Sequence, residues 1–285
     1  MFPLATGVFG LIVGSFLNVV ILRFGTHSLR GRSVCMSCRR RLEWFELVPI
    51  LSWIALRGKC RSCRTAISAQ YPFVELSTAL LFAFLAGAFE AGLRQGQPLA
   101  IVLFPASLAI ASLLIAIGVY DLWHTIIPDP WVYAFAALAL LAQILALPSN
   151  TGLLLALAAG PIAASPTFVL WFLTRGRGMG FGDVKLSLGI GWLLGPFAGI
   201  FAVFGAFVIG GFVSIPLLVL SSKWWNRMVA GFIQPHSSVW GQLLSSKSGA
   251  GYTMKSEVAF GPFLVVATLC VWILLLYGID FPLVI

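Results

Sequence analysis

The sequence is poor in charged residues. Asp, Glu, Lys and Arg make up only 9% of its 285 residues, whereas hydrophobic residues make up 60%. Soluble domains carry about 25% charged residues, so too few are present here to cover a water-exposed surface. This shortage excludes a soluble enzyme, a secreted disulfide-rich domain and a disordered chain. The short alternating strands of a β-barrel porin are also missing. The chain instead has long apolar runs, which are typical of a polytopic membrane protein.

The apolar runs predict the fold. A run of about 20 apolar residues can cross the ~30 Å core of a bilayer as a helix. The sixth run is the shortest, because Gly195-Pro196 interrupts a longer apolar stretch. We therefore predict an all-α polytopic membrane protein with about eight transmembrane helices. The predicted spans are 4–22, 73–91, 99–120, 131–147, 152–173, 186–195, 197–220 and 259–279.

The basic residues predict the orientation. The segment from Arg23 to Pro72 carries ten basic residues and only two acidic ones. If the chain starts outside and crosses the membrane eight times, 17 of its 18 basic residues fall in inner loops, and Arg94 alone falls outside. Basic loops usually face the cytoplasm. Nucleic-acid binding is the other common use of a basic cluster. No fold for reading bases is evident and the cluster adjoins a membrane span, so no nucleic-acid partner is expected.

Four of the five cysteines form two CxxC pairs, Cys35 with Cys38 and Cys60 with Cys63. Each pair can supply two corners of a tetrahedron, so together they predict a four-cysteine zinc site. With four sulfurs and no open position, the metal is expected to be structural. A pair of redox dithiols is the alternative, and a reducing compartment favours metal binding over disulfides. A structural metal would stabilise segment 23–72, which is too small to form a strong core unaided.

Two aspartates lie at the inner ends of predicted spans. Asp121 follows a long apolar run, and Asp183 lies in a Gly-rich stretch just before the sixth span. Ionisable residues in membrane spans are functional candidates, and two neighbouring carboxyls that cannot both ionise provide the acid and the base of an aspartic protease. Each has a structural alternative, since Asp183 could cap the sixth helix and Asp121 could be an interfacial loop residue. Asp129, between two prolines, is predicted to be the N-cap of the fourth helix.

A series of short motifs runs through the chain. They are GSFLNVVILR at 14–23, LVPILSW at 47–53, LRGKCRSC at 56–63, ISAQYPFVE at 67–75, Asp121 with IPD at 127–129, GFGDVKL at 180–186 and FGPF at 260–263. In these motifs the chain resembles the bacterial prepilin peptidases, also called type IV leader peptidases. The resemblance covers nearly the whole chain. Loop 221–258 is longer than is usual in that family.

The resemblance implies a bifunctional enzyme. Members of this family cut the basic leader from prepilins and pseudopilins at the cytoplasmic face of the bacterial inner membrane. They then N-methylate the new amino terminus with S-adenosylmethionine. By this resemblance Asp121 and Asp183 are the catalytic aspartates, and Glu43 and Glu75 are candidates for binding S-adenosylmethionine. The expected partners are prepilin or pseudopilin substrates and membrane lipid.

The expected organisation has three parts: a first transmembrane helix at 1–22, a cytoplasmic zinc module at 23–72 associated with methyl transfer, and a transmembrane peptidase core at 73–285. A peptidase-only relative is one alternative, but such relatives lack the module. A presenilin-type intramembrane aspartyl protease is a second alternative. It shares the YD and GxGD patterns, but it also lacks the zinc module. A transporter with a proton relay is a third alternative, and it would need ionisable residues across the whole bilayer.

Overall fold

The computed structural model describes residues 1–25, 31–147, 152–221 and 259–278, which form α-helices and loops without a β-strand. A short 3₁₀ turn at Trp44–Leu47 precedes the second helix. In chain order the helices of the described residues are α1 (Phe2–Arg23), α2 (Leu51–Ala55), α3 (Gln70–Arg94), α4 (Pro98–His124), α5 (Asp129–Ala146), α6 (Leu153–Thr174), α7 (Phe181–Leu194), α8 (Pro196–Ser221) and α9 (Gly261–Leu276).

Every predicted apolar run corresponds to one of these helices, and the predicted fold class is confirmed. Among the described residues, α1, α3, α4, α5, α6 and α8 are long and apolar enough to cross a membrane. Helices α7 and α9, with 14 and 16 residues, are about 21 and 24 Å long at 1.5 Å per residue. Both are shorter than the ~30 Å bilayer core. The chain is a multi-pass membrane protein.

The sixth predicted span differs from the helix that forms. Helix α7 begins at Phe181, five residues before the apolar run, because Gly180 acts as its N-cap and the Phe181 ring packs on Trp171 with ring centroids 4.9 Å apart. The predicted break after α7 is confirmed, since Gly195 has a φ of +84° and Pro196 starts α8. Loop 221–258, apart from its first residue, lies outside the described residues.

Helices α1 and α3 pack with their backbones almost in contact. A Cβ added at Gly10 would lie 2.8 Å from the Cα of Ala79, and one added at Gly14 would lie 2.7 Å from the Cα of Glu75. Only glycine permits two helix backbones to approach so closely. The small residues on one face of α1 therefore allow this packing. Residues 31–69, which join these two helices, form a small domain at one end of the bundle. We call it the module, and this end of the bundle the module end.

Helix α4 lies at the centre of the bundle. It packs against α1, α3, α5 and α9, and α9 in turn packs against α7 and α8. Its buried face is apolar, with Ile110, Leu114 and Ile117 almost fully shielded. The chain reverses direction between successive long helices. The C-terminal end of α4 and the N-terminal ends of α5, α7 and α9 are therefore brought to the module end.

Candidate active site and metal centre

Asp121 lies in the last turn of α4 and is buried. The C-terminal end of a helix disfavours a negative charge, so a stabilising partner is needed from elsewhere. That partner is Gly261, the first residue of α9, whose backbone N–H donates to Oδ2 of Asp121 at 3.0 Å. The alternative that Asp121 is a loop residue at the interface is wrong.

Asp183 is the third residue of α7 and is also buried. Its backbone N–H donates to the carbonyl of Gly180 at 3.2 Å. Gly180 occupies the N-cap position and no side chain caps the helix, so the alternative that Asp183 is the cap is wrong. The two predicted carboxyls lie within electrostatic range of each other at the module end, although 61 residues separate them in the sequence.

Asp129 has a different role from the one predicted. Pro128 occupies the N-cap of α5, and Asp129 is the first helical residue. Its Oδ1 accepts a hydrogen bond from Nζ of Lys185 at 2.6 Å. The same ammonium group lies over the rings of Tyr133 and Phe181, at 5.2 and 5.4 Å from their centroids. This contact joins the first turns of α5 and α7, close to Asp183.

Ser187 lies near Asp183 and was not among the predicted site residues. It lies four residues after Asp183 on α7, which places both side chains on one face of the helix. Its side chain is fully buried, and Oγ has no hydrogen-bond partner among the described residues. The buried hydroxyls of Thr78 and Thr268 instead donate to carbonyls of their own helices. The only feature of the sequence that points to Ser187 is its position four residues after Asp183.

The four predicted metal ligands come together in the module. The Sγ atoms of Cys35, Cys38, Cys60 and Cys63 all lie within 4.8 Å of one another, and those of Cys35 and Cys63 are 3.7 Å apart. Sulfurs that bind zinc tetrahedrally at about 2.3 Å stand about 3.8 Å from one another. The cluster therefore has the size of a tetrathiolate site and can bind a metal ion.

Both CxxC pairs adopt the same backbone turn. Arg39 and Arg64, each the residue after the second cysteine, have positive φ angles of 55° and 60°. One antiparallel β-bridge closes each turn, Val34 with Arg41 and Lys59 with Ala66. The two turns thus present their sulfurs in equivalent ways, and each can hold two corners of one tetrahedron.

The thiols also have the chemistry of a metal-binding set. Hydrogen bonds with the hydroxyl and backbone of Thr65 lower the pKa of Cys63 to about 6. The backbone of Arg40 favours the thiolate of Cys38, but loss of hydration and the neighbouring sulfurs of Cys35 and Cys63 outweigh it and raise the pKa of Cys38 to about 11. Cys38 and Cys63 therefore do not ionise over the same pH range, and a bound cation would compensate the negative charge when both are thiolates.

The two glutamates considered for S-adenosylmethionine lie apart in the sequence and have different surroundings. Glu43 is exposed and forms a capping box with Glu46 around the 3₁₀ turn. Glu75 is buried in α3, where its Oε2 accepts the backbone N–H of Ile50 at 2.7 Å. This bond fastens the module to α3, a role that the sequence did not indicate. Binding of S-adenosylmethionine by Glu43 and Glu75 stays a prediction.

Glu46, which was not among the predicted site residues, stabilises the part of the module that contains Glu43. Its buried carboxylate forms an ion pair with Arg40. Burial alone would raise the pKa of Glu46, but the backbone N–H of Glu43 and the guanidinium of Arg40 outweigh it and hold the pKa below its ordinary value. The carboxylate therefore stays charged at neutral pH and holds the first CxxC turn to the 3₁₀ turn.

The chain is similar to known proteins over nearly its whole length. Residues 8–89 match the bacterial peptidase A24 N-terminal domain, and residues 108–215 match the type IV leader peptidase family. Proteins named prepilin leader peptidase/N-methyltransferase are 31% identical in Pseudomonas aeruginosa and 30% identical in Stutzerimonas stutzeri, each over 97% of this chain and 91% of the relative. A protein of the same name from Bacillus subtilis is 40% identical over 66% of this chain and 72% of its own length. No solved structure matches the chain. Both family matches and the relatives that cover 97% of the chain lead to one conclusion: the chain belongs to the type IV leader peptidase family of membrane enzymes.

Proposed function

We propose that this chain is an aspartic endopeptidase that removes the leader peptide from type IV prepilins or pseudopilins, with Asp121 and Asp183 as its catalytic pair. The observation that carries the proposal is that two buried carboxyls, from the end of α4 and the start of α7, lie at the module end of the bundle within electrostatic range of each other. The names of the related proteins, which are prepilin leader peptidases, support the substrate class.

The chemistry follows from two carboxyls that share one proton. The ionised carboxylate takes a proton from a water molecule as the water oxygen attacks the carbonyl carbon of the scissile peptide. The protonated carboxyl donates its proton to the carbonyl oxygen. The tetrahedral intermediate then collapses and the C–N bond breaks. The carboxyl that took the proton from water gives it to the leaving amine, and the hydroxyl formed from the carbonyl oxygen returns its proton to the other carboxylate. The N–H of Gly261 at Asp121 fixes the orientation of one of the two carboxyls throughout.

The position of the pair suits a substrate that lies half in the membrane. A basic leader stays in the cytoplasm while the apolar segment after it enters the bilayer, so the scissile bond lies at the cytoplasmic boundary. Asp121 and Asp183 both lie within one turn of a helix end at the module end. The basic residues of segment 23–72 support a cytoplasmic module end and a location in the bacterial inner membrane.

We further propose that the enzyme N-methylates the amino terminus that cleavage creates, with S-adenosylmethionine as the methyl donor. Segment 23–72 is the proposed methyltransferase module and residues 73–285 the proposed peptidase core. The ligands proposed for a structural zinc ion are Cys35, Cys38, Cys60 and Cys63. Bound zinc would hold the two CxxC turns together, and it takes no part in either reaction. Glu43 and Glu75 remain our candidates for the methyl-donor site.

The competing functions fit less well. A peptidase-only enzyme would not need the module, which is present here. A presenilin-type protease is disfavoured because the chain belongs to the leader peptidase family. A proton-relay transporter needs ionisable groups in series across the bilayer, whereas the buried carboxylates of the described helices, Glu75, Asp121 and Asp183, all lie towards the module end.

One experiment tests both activities. The full chain is purified in detergent, incubated with a type IV prepilin and S-adenosylmethionine, and the product is weighed by mass spectrometry. We expect loss of the leader and the addition of one methyl group. An intact prepilin would contradict the peptidase assignment, and a cleaved but unmodified product would contradict the methyltransferase assignment alone.

Gly261→Ala should slow leader cleavage by about ten- to a hundredfold, because misplacing a reacting group by ~1 Å can cost that much. The added Cβ would lie 2.5 Å from Oδ2 of Asp121, so this carboxyl must move. Initial rates with the purified variant measure the effect. Gly205→Ala is the matched control, since its Cβ would meet Ala267 at an ordinary 3.7 Å. Equal rates for the two variants would contradict the role of Asp121 in the reacting pair.

A further inference from the structure

A cleft of about 430 Å³ lies in the module beside the second CxxC turn. Four of the side chains that line it are cationic, those of Arg57, Lys59, Arg61 and Arg64, and we call it the basic cleft. All four residues are exposed. So many positive charges around one depression repel one another, which makes an anionic occupant favourable.

The charge of the basic cleft is not neutralised by any ion pair within the part of the chain that the structure describes. Among the described residues none of its four cations forms an ion pair, and the nearby carboxylate of Glu46 is taken by Arg40. A zinc tetrathiolate would add two negative charges, whereas in residues 31–69 the eight basic residues outnumber the two acidic ones by six. The module therefore stays strongly positive even with its metal bound.

The module is also held at the level where α3 enters the apolar layer. The bond from the N–H of Ile50 to Glu75 fixes the start of α2 beside the second turn of α3. Leu51 and Ile54 on α2 and Phe73 on α3 are largely exposed at this level. Helix α2 leads directly into the basic cleft through Ala55 and Leu56. Apolar and basic side chains side by side are the pattern of a surface that contacts the headgroup region of a membrane.

We propose that the basic cleft binds the phosphate headgroup of an anionic phospholipid, with Leu51 and Ile54 of α2 resting in the interfacial layer. Arginine recognises phosphate through paired hydrogen bonds, and clusters of basic residues next to a membrane helix attract anionic lipid. The methyl donor is a poor occupant, because S-adenosylmethionine carries a sulfonium and an ammonium against one carboxylate. A basic leader peptide is repelled for the same reason. This binding does not depend on the catalytic aspartates.

The test uses the full chain in nonionic detergent with equal amounts of phosphatidylglycerol and phosphatidylcholine. Native mass spectrometry then measures which lipid stays bound. We expect phosphatidylglycerol to be retained about tenfold over phosphatidylcholine, and we expect Arg57→Gln with Arg64→Gln to abolish this preference. The control pair is Arg175→Gln with Arg177→Gln, which removes the same charge from exposed positions between α6 and α7 and should leave the preference unchanged. Arg57 and Arg175 share a positive φ, 53° and 52°.

Zinc content is measured in each variant. This measurement distinguishes unfolding of the module from a loss of lipid binding in a folded module. If the double variant loses zinc, Arg57→Gln alone is compared with Arg175→Gln. Equal retention of the two lipids by the unmodified chain would overturn the proposal, as would an equal effect of the control pair. Displacement of phosphatidylglycerol by an equal concentration of inorganic phosphate would also overturn it, because the site would then be one for free phosphate.

Discussion

Asp121→Asn and Asp183→Asn should each lower the rate of leader cleavage by at least about a thousandfold, because the amide keeps the shape of the carboxyl but can neither take up nor release the proton. Both side chains are buried, and the substitution removes a charge, so the variants should still fold and insert. The rate is measured by mass spectrometry on an intact prepilin. Methylation of an already cleaved pilin should be kept, because the module is unchanged.

The matched control is Asp129→Asn, the same substitution on the same side of the bundle. The side chain of Asp129 is 57% exposed where it pairs with Lys185, and surface ion pairs contribute at most about 1 kcal/mol to stability. We expect this variant to keep most of the activity. If Asp121→Asn or Asp183→Asn cleaves at a rate close to that of Asp129→Asn, that residue is not part of the catalytic pair.

Cys60→Ser should lose the bound metal, because a serine hydroxyl stays protonated at neutral pH and is a poor ligand for zinc. Removal of one direct ligand should weaken binding by more than the ~10–100-fold seen when outer partners of a site are lost. Because Cys60 is the buried member of the cluster, the second CxxC turn should also lose its structure. Methyl transfer should then fail, while cleavage falls much less.

Elemental analysis of the purified protein measures the effect, with one zinc per chain expected before the substitution. Cys270→Ser is the control, since Cys270 is an exposed cysteine on α9 outside the cluster. Unchanged zinc content in Cys60→Ser would refute the four-cysteine site. Methylation that is kept in Cys60→Ser, as in Cys270→Ser, would show that the metal-bound module does not carry the second activity.

The sequence predicts most of this fold because hydrophobic length is a local property. The eight apolar runs correspond to eight helices, and the break at Gly195-Pro196 is where α7 ends. The start of α7 could not be predicted in this way. The turn that contains Asp183 is polar and Gly-rich, and it is helical because Gly180 acts as N-cap and Phe181 packs on Trp171.

The site residues themselves could be predicted, but not their partners. Asp121 and Asp183 follow from the rarity of acids beside apolar runs, and the cysteines follow from their spacing. The hydrogen bond between Asp121 and Gly261 joins residues 140 positions apart, and the pair of Asp129 with Lys185 joins residues 56 apart. Local patterns assign Asp129 to a helix cap because they contain no information on which side chain the fold brings near it.

The close backbone contact of α1 with α3 at Gly10 and Gly14 has a mechanical consequence. The chain enters the module from α1 and leaves it into α3, and the amide of Asn18 on α1 also donates to the carbonyl of Tyr71 on α3 at 3.2 Å. Because α1 and α3 are packed so closely, the module that they carry cannot rotate as a rigid body relative to the helix bundle. We therefore expect the cleaved pilin to move along the membrane surface to the module. The module itself is expected to stay in place between the two reactions.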